Sequence, residues 1–202
     1  MVSASGRSAR GMSPEDHWLA RWLKLIDERT ADLPLLELGS GGGRDSEVLA
    51  AAGHRVIGID RSDIAIATAL QRVPSGIFHR QDIREPWPVE RAGVVLASLS
   101  LRYFPWTETA TLADRIRQVL VPGGVLLCRL NSTNDHHHGA SGHPRIDDDY
   151  YLVDGEPKRF FDRAATTRLF ARGWRVLSLE EAVIDRYDQP KWVWEAVLER
   201  TA

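Results

Sequence analysis

The sequence has little cysteine, no strong excess of either charge and no long apolar run. The single cysteine, Cys128, excludes an intramolecular disulfide, and its place within the apolar run 125–130 predicts a packed core thiol. Lys and Arg number 26 against 28 Asp and Glu, so the net charge of −2 gives no basic field for a nucleic-acid backbone. Apolar runs such as 94–97 fall far short of the roughly 20 residues that cross a bilayer, and residues 1–13 lack the apolar stretch of a signal peptide. We therefore expect a cytoplasmic monomer or homodimer whose partner is a small molecule, with no nucleic acid and no membrane.

The chain is long enough for one sizeable core, and its pattern divides it into a short tail and one domain. Residues 1–12 are rich in small residues and arginine and predict a flexible tail, so residues 13–202 form the single expected domain. Ser13 and Pro14 are typical of a helix start. The apolar residues at helical spacing after them are Trp18, Leu19, Trp22, Leu23 and Ile26.

From residue 33 onward, short apolar runs alternate with helical segments. This alternation predicts an α/β fold with a Rossmann-like, doubly wound, mostly parallel sheet. The expected strands are 35–38, 56–59, 77–78, 94–96 and 125–128. The expected helices are 45–52, 62–72, 107–120 and 162–172.

The last third of the chain departs from this alternation. Residues 131–161 are polar and too long for an ordinary connection, so they predict a lid-like insertion. Two long runs, 174–186 and 191–199, meet at Asp188-Gln189-Pro190 and predict a C-terminal antiparallel hairpin.

The most informative motif is a glycine-rich loop between the first strand and the following helix. It contains Gly39, Ser40, Gly41 and Gly43, and Glu37 stands just before it. Glycines let the backbone turn sharply and approach a ligand closely, while the helix N-terminus offers free N–H groups. Such a loop favours a nucleotide cofactor. The alternative is a simple tight turn, which would not require the acidic residue that the sequence places at the end of the next strand.

That residue is Asp60, which ends the second strand 21 positions after Gly39, where a carboxylate can accept both ribose hydroxyls. A dinucleotide fingerprint requires a glycine where this chain has Arg44, so nicotinamide loses support. S-adenosylmethionine instead needs few amide donors for its carboxylate and an acidic environment for its ammonium and sulfonium groups, which Glu37 supplies.

Further residues at the strand ends complete the predicted cofactor site. Asp82 can accept from the adenine amine, and Ile83 can lie on the ring, although Asp82 can equally cap a turn. Arg61 directly follows Asp60, the carboxylate predicted to bind the ribose. Ser98 ends the fourth strand at the crevice, where the competing interpretation is a core hydroxyl with its hydrogen bonds satisfied.

On these motifs, the chain resembles the class I S-adenosylmethionine-dependent methyltransferases over roughly residues 33–202. The resemblance implies a seven-stranded sheet whose last strand is antiparallel. Residues 41–46, Gly-Gly-Gly-Arg-Asp-Ser, are similar to a Gly-x-Gly-Arg-Asn-Ser stretch of the tellurite-resistance and thiopurine-like small-molecule methyltransferases. That likeness implies that Arg44 faces the acceptor. Asp185 and Arg186 occupy the place of that family's His-Arg pair, and the missing histidine argues against an oxyanion acceptor.

The expected function is methyl transfer from S-adenosylmethionine to a small molecule. An in-line displacement needs no compulsory base, so the acceptor-facing candidates stay open. They are Arg44, Tyr103, His136, Tyr151 and Arg186. Adjacent loop histidines do not converge readily on one ion, so no metal is expected. Two alternatives remain: an NAD(P)-dependent oxidoreductase and a non-catalytic protein that binds S-adenosylmethionine.

Overall fold

The short apolar runs of the sequence form the centre of a seven-stranded sheet in the computed structural model, which describes residues 18–202. Apolar runs of four to seven residues suit strands that are covered on both faces. The strands of this sheet are β1 (Leu35–Leu38), β2 (Val56–Asp60), β3 (Ile77–Arg80), β4 (Ala92–Ser98), β5 (Leu120–Asn131), and the later strands Trp174–Ile184 and Lys191–Arg200.

The strand order confirms the predicted fold class. From one edge to the other it is β3, β2, β1, β4, β5, then Lys191–Arg200 and finally Trp174–Ile184. The first five strands are parallel to one another, whereas Lys191–Arg200 runs antiparallel to both of its neighbours. The predicted terminal hairpin is therefore confirmed, and it forms the edge of the sheet next to β5.

The described region contains five α-helices, of which the first precedes β1 and the other four lie between strands. They are α1 (Leu23–Thr30), α2 (Arg44–Ala51), α3 (Asp63–Arg72), α4 (Trp106–Val119) and α5 (Arg163–Leu169). Ser62 caps α3, because its hydroxyl accepts from the Ala65 N–H at 3.2 Å. None of these helices is long and apolar enough to span a membrane. The predicted tail at 1–12 and the helix start at Ser13 and Pro14 lie outside the described residues.

The helix expected over 162–172 is shorter than predicted. It ends at Leu169, and the next residue, Phe170, instead packs edge-on against Trp174 with ring centroids 6.0 Å apart. Phe170 is 4% exposed. Burial of this aromatic pair therefore decides where the helix stops, and helical spacing does not reveal it.

The core lies in two layers, one on each face of the sheet. Leu36 and Leu38 point to the layer that α4 covers, while Leu35 points to the layer that α1 and α2 cover. Glu37 has the same parity as Leu35, so its side chain leaves the sheet on the α2 side. Cys128 is fully buried in the α4 layer, which confirms the core thiol, and burial raises the pKa of that thiol.

The segment predicted as a lid-like insertion contains its own sheet. After β5, the chain forms three antiparallel strands, β6 (Arg145–Asp147), β7 (Tyr150–Val153) and β8 (Glu156–Arg159). This small sheet docks on the chain that follows β4: the Tyr150 hydroxyl donates to the Tyr103 carbonyl at 3.1 Å. Arg159, which is 4% exposed, donates through Nε to the Phe104 carbonyl at 3.2 Å. The two last strands of the large sheet are then β9 (Trp174–Ile184) and β10 (Lys191–Arg200).

Candidate active site

A cavity of about 840 Å³ opens at the carboxyl ends of β1, β2 and β4. This is the edge of an open α/β sheet at which ligands bind, and the volume suits a small-molecule site. Nearly all of the predicted cofactor residues line it: Glu37, Gly39, Ser40, Gly41, Asp60, Arg61, Asp82, Ile83 and Ser98.

The glycine loop and the end of β2 are joined directly. The Gly41 N–H donates to Asp60 Oδ2 at 2.9 Å, and the Ser62 N–H donates to Asp60 Oδ1 at 2.9 Å. The loop turns tightly at Gly39, whose φ is +72°. A Cβ at Gly39 would lie 2.6 Å from the Ser100 Cβ, so only glycine fits there.

Glu37 lies beneath this loop as a buried carboxyl. It is 2% exposed, and the Ser46 hydroxyl donates to its Oε2 in a short hydrogen bond. Burial, and then the negative charges of Asp45 and Asp60, raise the pKa of Glu37 to about 8, while the Ser46 hydrogen bond acts in the opposite direction. At neutral pH, Glu37 is therefore mostly protonated in the ligand-free protein.

The residues of this loop fit S-adenosylmethionine. Among residues 18–202, nothing lies within 4 Å of a Cβ built on Gly41, so the backbone there faces open space. The buried hydroxyls of Ser40 and Ser100 line the cavity and have no hydrogen-bond partner among the described residues. Each Asp60 oxygen accepts one backbone N–H and keeps a lone-pair position for a ribose hydroxyl. The site therefore offers unused polar groups around an open glycine.

Asp82 lies at the predicted adenine position and also stabilises its own turn. Its Oδ1 accepts from the Arg84 N–H at 2.9 Å, and its Oδ2 forms an ion pair with Arg84 Nη2 at 2.7 Å. These hydrogen bonds from Arg84 hold the pKa of Asp82 below its usual value. Both interpretations of Asp82 thus have support from its position, and the adenine contact stays a prediction.

The predicted acceptor-facing residues separate into two groups. Arg44, Tyr103 and Arg186 line the cavity. His136 and Tyr151 do not: His136 Nδ1 lies 3.3 Å from the Ser141 hydroxyl. In β7 it is Tyr150, not Tyr151, that reaches the cavity, because neighbouring residues of a strand point to opposite faces.

Gly43 also lies outside the cavity wall. Its φ is +76°, and a Cβ there would lie 3.0 Å from the Ala69 Cα. Close packing of the α2 start against α3 therefore explains this glycine better than contact with a ligand. Within residues 18–202, no three His, Cys, Asp or Glu side chains converge into a group that could hold a metal ion.

Sequence reasoning missed several residues that line the acceptor end of the cavity. The most informative of these is Arg102, and the others are Leu99, Phe104, Glu108, Glu156 and Tyr187. Arg102 follows β4 by four residues, at the sheet edge where ligands bind, and this position was the available signal. The residues of the small sheet gave no such signal, since they reach the cavity only by long-range packing.

This geometry defines a Rossmann-like fold with a nucleotide-type site at the carboxyl edge of the sheet, and comparisons with known proteins show what the chain resembles. Residues 36–128 match the family model of a methyltransferase domain. The match covers somewhat less than half of the chain, and over this segment the chain is therefore similar to methyltransferases.

Among curated proteins, the chain is similar to trans-aconitate 2-methyltransferases. That of Delftia acidovorans is 36% identical over 129 residues, covering 55% of this chain and 47% of the relative. That of Rhizobium meliloti is 30% identical over 131 residues, covering 57% of this chain and 50% of the relative. The chain therefore spans about half the length of the curated relatives it matches.

Solved structures share the fold at low sequence identity. An S-adenosylmethionine-dependent methyltransferase from Methanosarcina mazei has a TM-score of 0.75 at 16% identity, covering 88% of this chain and 97% of that one. The 1,6-didemethyltoxoflavin-N1-methyltransferase of Burkholderia thailandensis, solved with its substrate and S-adenosylhomocysteine, has a TM-score of 0.68 at 20% identity. It covers 93% of this chain, and 80% of its own length is matched.

Proposed function

We propose that this protein transfers the methyl group of S-adenosylmethionine to a small-molecule acceptor. The observation that carries the proposal is the junction of Asp60 with the open glycine loop: the carboxylate accepts from the Gly41 N–H at 2.9 Å, and Asp60 also lines the cavity. Buried Glu37, beneath the same loop, releases its proton when a bound ammonium favours the carboxylate, and it then places a negative charge beside that cation. The match of residues 36–128 to a methyltransferase-domain model supports the same cofactor.

Bound S-adenosylmethionine supplies a methyl group already activated on a sulfonium. The residues of this chain have the remaining task of orienting the acceptor and excluding water. Tyr103, Phe104 and Tyr150 line the cavity and form an apolar wall with hydroxyl groups at its edge. Arg44 and Arg186 line it as well and are our candidates for polar contact with the acceptor. No general base is required for a soft or anionic acceptor.

Binding of the cofactor is tested by calorimetric titration with S-adenosylmethionine, S-adenosylhomocysteine, NAD and NADP. The wild type is compared with Asp60→Ala and with Asp63→Ala, a nearby exposed carboxylate paired with Arg80 at the surface. Loss of hydrogen bonds to a charged carboxylate costs about 2–4 kcal/mol, so Asp60→Ala weakens both sulfur ligands about 30- to 1000-fold. Asp63→Ala leaves them unchanged. Binding of a nicotinamide nucleotide instead would favour the oxidoreductase alternative.

Turnover is tested separately, because a non-catalytic binding protein would pass the first test. Formation of S-adenosylhomocysteine is followed by mass spectrometry with trans-aconitate, after which the curated relatives are named, and with a panel of thiols, amines and carboxylic acids. Turnover with any of them establishes an enzyme. Tight cofactor binding with a silent panel would instead leave the binding-protein alternative in place.

The remaining parts of the proposal concern the setting of the protein. The net charge of −2 supports a partner other than nucleic acid, and a cytoplasmic location is part of the same proposal. The proposed oligomeric state is a monomer or homodimer, which light scattering after size-exclusion chromatography measures directly.

A further inference from the structure

The arginines along the cavity wall differ in what neutralises them. Three of them form ion pairs with carboxylates: Arg61 with Glu156 (3.2 Å), Arg72 with Glu47 (2.8 Å) and Arg84 with Asp82 (2.7 Å). Arg102 is half-buried and lines the same cavity, yet no carboxylate of residues 18–202 lies within ion-pair distance of its guanidinium. A half-buried charge that no opposite charge compensates is unfavourable unless a ligand supplies one.

Neutral groups hold Arg102 in place. Its Nη1 donates to Asn131 Oδ1 at 3.3 Å, and its Nη2 donates to the Tyr103 hydroxyl at 2.7 Å. Asn131 is fully buried at the end of β5, and its own Nδ2 donates to the Arg159 carbonyl at 3.4 Å, so the amide is oriented. A guanidinium has five N–H donors, and these bonds use two. The guanidinium carbon also lies 4.8 Å from the centroid of the Tyr103 ring, while the buried Nε has no hydrogen-bond partner among the described residues. Arg102 is therefore fixed in position with donors unused.

The carboxylates that line this end of the cavity pair with other arginines: Glu156 with Arg61, and Glu108 with Arg84 Nη1 at 3.8 Å. A further carboxylate, Asp135, forms an ion pair with Lys191 Nζ at 2.6 Å, and both side chains are buried. Burial lowers the pKa of Lys191 to about 8 against the opposing effect of Asp135, and the charges of Arg102 and Lys158 lower it further. Asp135 is therefore paired with Lys191, and Arg102 can still form an ion pair with a ligand in the cavity.

The shape of this end of the cavity limits the ligand as well. Tyr103, Phe104, Tyr150 and Tyr187 all line it, so flat rings form much of the wall. Aromatic walls favour planar, conjugated ligands, and a planar guanidinium matches the two oxygens of a carboxylate. We propose that Arg102 binds a carboxylate group of a planar, conjugated or aromatic methyl acceptor. This proposal rests on the function proposed above and specifies its substrate class.

The test measures binding instead of turnover. Protein saturated with S-adenosylhomocysteine is titrated with cinnamate and benzoate, and with their uncharged amides cinnamamide and benzamide as matched probes. In the wild type, each acid binds about 10- to 100-fold more tightly than its amide, because charge-assisted hydrogen bonds discriminate by that amount. Arg102→Met abolishes the preference, and Arg102→Lys, which keeps the charge without the planar fork, retains a smaller one.

Arg72→Met is the control, since Arg72 lines the same cavity but is paired with Glu47. It leaves the preference for the acids unchanged. Equal binding of acid and amide by the wild type, or an unchanged preference in Arg102→Met, would overturn the proposal. Inorganic phosphate is the last probe. If phosphate competes with cinnamate as strongly as benzoate competes with it, the site binds anions in general, and the proposed specificity for a planar acid is refuted.

The titration separates this proposal from the previous one. If S-adenosylhomocysteine fails to bind the wild type, the proposed function fails, and the acid and amide comparison on the ligand-free protein still measures what Arg102 does. If S-adenosylhomocysteine binds and the acids show no preference, only the assignment of Arg102 fails. Thermal melts of each variant, together with its affinity for S-adenosylhomocysteine, verify that the fold is retained.

Discussion

Replacement of Glu37 by glutamine tests the electrostatics of the glycine loop. The carboxyl is 2% exposed, and burial together with the charge of Asp45 raises its pKa from 4.5 to about 8. A raised pKa means that the folded protein holds a proton that the unfolded chain releases. The full difference corresponds to about 5 kcal/mol, since each pKa unit is worth about 1.4 kcal/mol.

The sign and the pH window follow from that difference. The contribution of protonated Glu37 to stability is complete below pH 4.5 and is lost as the pH rises toward 8. Between pH 5 and 8, the free energy of unfolding of the wild type therefore falls by about 3 kcal/mol relative to a variant that cannot ionise there. Lys191 has the opposite effect: its pKa is lowered from 10.5 to about 8, so its contribution rises with pH only above this window.

The assay is urea unfolding of the cofactor-free protein at pH 5, 6, 7 and 8, for the wild type and for Glu37→Gln. Glutamine can still accept from the Ser46 hydroxyl, so the difference between the two proteins reports ionisation and little else. Asp82→Asn is the control: its pKa is lowered, so its charge is constant across this range and its difference from the wild type stays flat. A flat difference for Glu37→Gln would refute the raised pKa.

Two further predictions concern the same loop. Because a bound ammonium favours ionised Glu37, S-adenosylhomocysteine binding at pH 7 releases close to one proton. The release is measured by calorimetry, as the dependence of the binding heat on the ionisation enthalpy of the buffer. It disappears in Glu37→Gln. Gly39→Ala lowers the free energy of unfolding by about 2–4 kcal/mol through its positive φ and its clash with Ser100, whereas Gly53→Ala, at φ +93° with no atom within 4 Å, loses about 1–2 kcal/mol. Equal losses in urea unfolding would contradict the close approach at Gly39.

The sequence predicted the parallel strands well because each is a short apolar run, and apolar runs record burial locally. Strand ends were less predictable. β5 begins at Leu120, five residues before the expected start, and includes Pro122 and two glycines that usually interrupt strands. Its early part pairs with Ala92 through an irregular register. This pairing depends on the neighbouring strand, so the local pattern could not reveal it.

The cofactor half of the candidate site was predictable for a related reason. Gly41 and Asp60 follow directly from strand ends, and the parallel topology brings all such ends to one edge. The acceptor half of the site was not predictable from the sequence, because Tyr150 reaches the cavity from a separate small sheet through its hydrogen bond to the Tyr103 carbonyl. A polar segment such as 131–161 does not reveal its pairing partners in its composition. Tyr151, which has the same chemistry one position later, faces away from the cavity.

The distribution of charge along the cavity argues for one fixed arrangement of the two proposed ligands. Glu37, Asp45 and Asp60 stand at the glycine-loop end. At the aromatic end, Glu156 and Glu108 pair with Arg61 and Arg84, whereas Arg102 has no carboxylate partner among residues 18–202. A cofactor that carries a sulfonium and an ammonium is attracted to the first end and repelled from the second. A carboxylate acceptor has the opposite preference, so exchanging the two ligands would place like charges together at both ends. Specificity then arises from repulsion in the wrong arrangement as much as from attraction in the right one. Reversing the charge at one end alone, as in Arg102→Glu, therefore removes anion binding and leaves the affinity for S-adenosylhomocysteine unchanged. Both affinities are measurable in a single titration series.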